Sequence, residues 1–190
     1  MLAQRIICFA LLVAAALIFV YSLGIVTDLH YNRFDYYSQD PEYPMFEGAE
    51  IYREIQPFNK QLTTAGIVLI LSAVLLFVFN THKRRKYYIG NYVTIGLNAV
   101  LTIGISIFGI VNVAKYRAQF LKIDFETLEM MQNALKKPYS ISTFWFDIGF
   151  YVFAFAILAA LFGIANLAFK IYVMHKEKTL LSESEEVSNG

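Results

Sequence analysis

YYIGNYVTIGLNAVLTIGISIFGIVNVA, from Tyr87 to Ala114, runs without a charged side chain until Lys115. As a helix it would rise about 1.5 Å per residue, more than enough for a hydrocarbon core of about 30 Å. The stretch is not uniformly apolar. Asn91, Thr94, Asn98, Thr102, Ser106, Gly109 and Asn112 recur at three- or four-residue steps, with Ile, Leu, Val and Phe between them. At helical periodicity those seven share one face. Acyl chains offer no partner to an amide or hydroxyl, so that face is expected to look at protein or at water. It reads either as a seam on which other helices dock, which would make this helix the central one, or as the lining of a polar path.

Three more apolar runs surround it, at residues 6–26, 62–80 and 144–173. Hydrophobic residues make up 57% of the 190 residues and charged ones 16%. Soluble domains sit near 45–50% and about 25%, so the chain belongs to the membrane class. The fold expected is all-α, a four-helix transmembrane bundle over residues 1–175. A polar, acidic tail follows over 176–190, expected to be disordered for want of apolar residues. The run at 6–26 follows Arg5 and ends in small residues, which also suits a signal peptide. It continues past Ser22 to Val26, longer than an h-region needs, and favours a retained span.

Two loops separate the spans on one side. Residues 27–61 are acidic and rich in tyrosine, with Pro41 and Pro44 as breakers. Ile51, Tyr52, Ile55 and Phe58 could form an amphipathic turn or two there, whose regularity Pro57 limits. In the second loop, 115–143, Leu121, Phe125, Leu128, Gln132 and Leu135 repeat at helical spacing, with Asp124 near the start and Pro138 at the end. That pattern predicts a short amphipathic helix with Asp124 as its cap.

Orientation rests on Lys83, Arg84, Arg85 and Lys86, four consecutive cations in a short connection. Short cationic loops stay in the cytoplasm, which places both termini inside and both long loops outside. Arg5, Lys170, Lys176 and Lys178 agree. Lys115, Arg117, Lys122, Lys136 and Lys137 oppose it. The same cluster would touch anionic lipid, at about 1 kcal/mol per cation near the surface, or a cytoplasmic partner. There is no Asn-x-Ser/Thr sequon, and Cys8 is the only cysteine. These features fit a bacterial inner membrane.

Chemistry-bearing patterns are sparse. His30, His82 and His175 stand apart, no HExxH or CxxC occurs, and there is no phosphate-binding glycine loop. No catalytic residue, cofactor or metal is therefore assigned, and no nucleic-acid partner. The interiors of the spans lack Asp, Glu, Lys and Arg, the groups that ion-coupled transporters keep there. Asp147 alone approaches a span interior. It suits the positive end of a helix dipole, or a functional pairing with Lys115 or Arg117. In the fourth span Ala156, Ala160 and Gly163 form a small-residue face that permits close helix approach. Phe144, Trp145 and Phe146 read as an aromatic belt at its entrance.

The function expected is a non-enzymatic accessory or scaffold subunit of a larger membrane complex, such as a transporter, bound through helix faces and outer loops. The alternative is a small oligomeric channel or transporter with a polar path along the third span. Partners are then the lipid bilayer and another membrane protein or a second copy.

Overall fold

The computed structural model describes residues 2–29, 51–80, 89–127, 129–130 and 142–189. The described residues hold four long helices and no strand: α1 (Leu2–Leu29), α2 (Ile51–Asn80), α3 (Ile89–Phe120) and α4 (Phe144–Asn189). All four are long and apolar enough to cross a membrane, over Leu2–Gly24, Glu54–Phe79, Asn91–Phe120 and Phe144–Leu181. The protein is an all-α, multi-pass bundle. In lipid the helix is the natural state of such runs, because it satisfies each backbone N–H and C=O within its own segment.

The helices form a ring. α1 packs on α2 and α4, and α3 packs on the same two. Helix three is therefore one corner of a square, not a central post as the sequence suggested. Neighbours run antiparallel. On α1, Gly24 meets Trp145 of α4, whereas Ile7 and Leu11 lie beside Gly163 at the opposite end. The ends of α2 and α3 meet likewise, with the Phe58 ring 5.6 Å from Tyr116.

Two apolar clusters fill the interior. The larger takes Ile18 and Tyr21, Ile55 and Phe58, Val113 and Phe120, and Phe146 and Phe153 from the four helices. The smaller gathers Cys8, Leu11, Leu76, Ile95, Ala99, Ala159 and Ala160 near the other end. Since lipid tails are as apolar as leucine, this interior gains from close packing rather than from escape from water. Outward positions stay apolar too: Tyr151, Phe162, Phe169 and Tyr172 on α4 are all more than 60% exposed.

Helix ends depart from the sequence expectation in three places. α2 starts at Ile51, eleven positions before the expected span at 62, and contains Pro57. A proline inside a helix removes one hydrogen bond and costs about 3 kcal/mol. Here its ring lies on the exposed side, while Ile51, Ile55, Phe58 and Leu62 carry one buried stripe past it. α3 does not stop at Ala114 but continues to Phe120, because Tyr116 and Phe120 remain buried while Lys115 points out. α4 runs on through the tail to Asn189 instead of ending in disorder. No glycine or proline interrupts residues 164–189, and Lys, Glu and Leu there are good helix formers.

After α3 the backbone turns through Leu121–Ile123 into a helical stretch over residues 125–127 and 129–130. Asp124 caps it, accepting from the Thr127 N–H (3.1 Å) and the Thr127 hydroxyl (2.5 Å). The Thr127 hydroxyl, and then its N–H, hold the Asp124 carboxyl below the usual carboxylate range. Phe125 packs on Phe120 at 5.4 Å, so the stripe begins on the bundle. Leu121 is exposed. Leu128, Gln132, Leu135 and Pro138 lie outside the described side chains.

Candidate functional site: the polar face of the third helix

The face of α3 is polar because its sequence places small or hydrogen-bonding residues on the side turned toward α2 and α4. Asn91, Asn98, Thr102 and Ser106 are buried, as is Gly109, while Thr94 and Asn112 are half-buried. Near its middle the Asn98 amide donates to the Ser72 hydroxyl of α2 at 2.9 Å. Other members satisfy themselves locally. The Thr102 hydroxyl donates to the Asn98 carbonyl at 2.8 Å, the Thr94 hydroxyl to the Asn91 carbonyl at 3.0 Å, and the Asn112 amide to the Phe108 carbonyl at 2.9 Å. Back-bonding of this kind hides a hydroxyl from lipid without a second helix.

Two atoms on the strip have no protein partner: Asn98 Oδ1 and Ser106 Oγ, both in side chains at or below 1% exposure. A buried polar atom left unmatched costs about 1–3 kcal/mol. One turn further on, Gly109 receives the ring of Phe153. A Cβ at position 109 would collide with that ring, so the hydrogen side chain is what lets α3 and α4 approach. The Phe153 ring in turn stands edge-on to Tyr21 of α1 at 5.6 Å. The strip is thus covered by the chain's own α2 and α4.

The small-residue face of α4 lies against α1. Ala156 and Ala160 are fully buried, and Gly163 sits 3.7 Å from Leu11 Cδ1 and 3.9 Å from Ile7 Cγ2. Gly66 of α2 comes closer still to α1, where a Cβ would stand 3.0 Å from the Phe19 Cα. Beside it the Thr63 hydroxyl donates to Ser22 of α1 at 3.1 Å, with Asn59 buried one turn away.

Asp147 makes the pairing with Arg117. The Arg117 Nε donates to Oδ1 at 3.0 Å, and the Thr143 hydroxyl donates to Oδ2 at 2.8 Å. Both partners are substantially exposed, at 37% and 44% of the side chain, so the pair contributes about 1 kcal/mol or less. Lys115 instead stands 5.0 Å over the neighbouring Tyr116 ring. Of the aromatic belt, Phe144 is exposed and Trp145 packs on Gly24, but Phe146 turns inward against Phe120 at 5.3 Å.

A second polar joint was not apparent from the sequence. Tyr116 donates to the Glu54 carbonyl at 2.9 Å, and the Gln119 amide donates to Glu54 Oε2 at 3.1 Å. It ties the start of α2 to the end of α3. Both ends fall in loops when a charge is counted as the end of a span. Continuing the 3–4 stripes, Val113, Tyr116 and Phe120 on α3 and Ile55, Phe58 and Leu62 on α2, recovers them.

Among the described residues no three His, Cys, Asp or Glu side chains come together as metal ligands would. Cys8 is buried against neighbouring helices. Lys83 to Lys86 lie outside the described residues. No protein family, curated protein or solved structure matches the chain.

Proposed function

We propose that the protein is a non-enzymatic accessory subunit of a larger membrane complex such as a transporter, held in a bacterial cell membrane with both termini cytoplasmic. One observation carries the reading: the polar face of α3 is closed over by the chain's own Ser72 and Phe153. Among the described residues, that leaves the outer faces as the surface on which the chain can act, beside the outer loops. On α4 they are aromatic, with Tyr151, Phe162, Phe169 and Tyr172 exposed, and aromatic residues are favoured anchors at protein interfaces. The orientation is supported by the cations at Lys83 to Lys86.

Co-purification from native membranes in mild detergent tests the role. A partner should be retained by the native chain and lost from a variant with Tyr151, Phe162 and Phe169 changed to alanine. A lone monomer at every concentration would refute it. Reporter fusions at the two termini test the topology; an extracytoplasmic signal from either end would overturn that part.

A second reading keeps a specific support, the unmatched Asn98 Oδ1 and Ser106 Oγ in mid-helix. Polar atoms aligned in that way suit a narrow solute path. Asn98→Leu separates the two. Flux in vesicles should collapse if α3 lines a path, and a packing role predicts only lower stability.

A further inference from the structure

We propose that the seam between α2 and α3 is a binding site for an anionic phospholipid, with its phosphate on Lys60 and an acyl chain along the groove below. The groove has a volume of about 430 Å³ and is lined by Lys60, Gln61, Thr64, Ala65 and Val68 of α2 and by Ile105 of α3. It opens outward, on the face that the bilayer covers.

Its chemistry is graded along its length. Lys60, Gln61 and Thr64 stand at one end, and Val68 and Ile105 at the other. The depth of the polar end follows from the bundle. Phe58, just before Lys60, packs on both Phe108 and Tyr116 of α3, at 5.7 and 5.6 Å. Glu54 meets Tyr116 and Gln119, so in this antiparallel pair the Lys60 turn lies level with the stretch of α3 between Phe108 and Tyr116, about one turn in from Lys115 and the Arg117–Asp147 pair. Charged residues of this kind mark the membrane boundary; a lysine one turn inside it extends its ammonium back to headgroup depth, while Val68 and Ile105 lie in the acyl region. Among the described residues no carboxylate pairs with Lys60. The Thr64 hydroxyl is turned back onto the Lys60 carbonyl at 2.9 Å, which leaves the Lys60 ammonium, with the Gln61 amide beside it, to meet the ligand. A cation at the boundary above an apolar furrow matches a lipid whose charge and tail are arranged in that order.

The site stands on the α2–α3 surface alone and is independent of any protein partner. Native mass spectrometry of the detergent-purified full chain, titrated with phosphatidylglycerol and with phosphatidylcholine, tests it. Phosphatidylglycerol should bind about fivefold more tightly, the ratio that one cation near anionic lipid supplies. Lys60→Gln should abolish that preference and leave phosphatidylcholine binding unchanged. Val68→Phe, which fills the furrow, should weaken both lipids. Lys122→Gln, a cation away from the groove, should change neither. The proposal is overturned if Lys60→Gln keeps the preference, if Lys122→Gln lowers it equally, or if Val68→Phe leaves both lipids bound as before.

Discussion

Replacing Gly109 with alanine adds one methyl group where Phe153 of α4 already sits. The same change at Gly104, on the same helix, meets nothing within 4 Å. Both substitutions give a similar gain in helix propensity, about 0.5–1 kcal/mol. Their difference therefore isolates the contact. Phe153 is fully buried and its ring is held edge-on by Tyr21, so it cannot swing away freely. Overpacking a filled interior costs about 1–3 kcal/mol. Gly109→Ala should then be less stable than Gly104→Ala by about 1–3 kcal/mol. Reversible unfolding in mixed detergent micelles measures both. Trimming the ring should relieve the strain, so Gly109→Ala with Phe153→Leu should be more stable than the two single costs added, by about 0.5–3 kcal/mol. Equal stabilities for the two alanine variants, or strict additivity with Phe153→Leu, would show that α3 and α4 do not meet at this point.

The remaining joints give further tests. Asn98→Leu removes the bond to Ser72 and should lower stability by about 0.6–2 kcal/mol in the same unfolding assay; no loss would mean that the bond does not hold α2 to α3. Arg117→Gln should cost about 1 kcal/mol or less, and the loss should shrink further at high salt; a larger, salt-independent loss would contradict the exposure of the pair. Asp124 has a carboxyl pKa lower in the folded state than in the unfolded one. Its cap thus contributes above the unfolded value and is lost as pH falls through the lowered folded value. Hydrogen-exchange protection of the Thr127 N–H should drop over that acid range in the native chain and show no such step in Asp124→Asn.

The sequence carried most of the membrane architecture because a bilayer demands long uncharged runs, and four are plain. It also carried the polar face of α3, since amides and hydroxyls recurring at helical steps are conspicuous among Ile, Leu and Val. Helix ends were less legible. A bilayer limits the length of an apolar run but not that of the helix containing it. Lys115 was read as a stop, yet one turn on Tyr116 and Phe120 still bury themselves against α2 and α4. Pro57 limits the regularity that a local reading expects there, yet the stripe of Ile55, Phe58 and Leu62 outweighs one lost backbone bond. Which ends meet is a property of the ring. Glu54, Tyr116 and Gln119 are more than sixty positions apart at the extremes and share no local pattern.

Three sides of the ring are closed by a ring or backbone atom seated on a glycine. Trp145 sits on Gly24 and Tyr21 on Gly149 between α1 and α4, Phe19 on Gly66 between α1 and α2, and Phe153 on Gly109 between α3 and α4. The α2–α3 side has no such seat among the described glycines. It is held instead by the Asn98–Ser72 bond in the middle and, toward the end, by Phe58 on Phe108 and Tyr116 and by Glu54 with Tyr116 and Gln119. A hydrogen bond fixes two side chains at one point, whereas a glycine seat brings whole backbones together. A seam joined at separated points leaves space between them, and the furrow beneath Lys60 lies in that space. The absence of a glycine seat between Phe58 and Ser72 is therefore what leaves room for a lipid tail. Ala65→Gly in α2 should let the helices close, shrinking the groove and weakening phosphatidylglycerol binding; tighter lipid binding in that variant would break the link between seam and site.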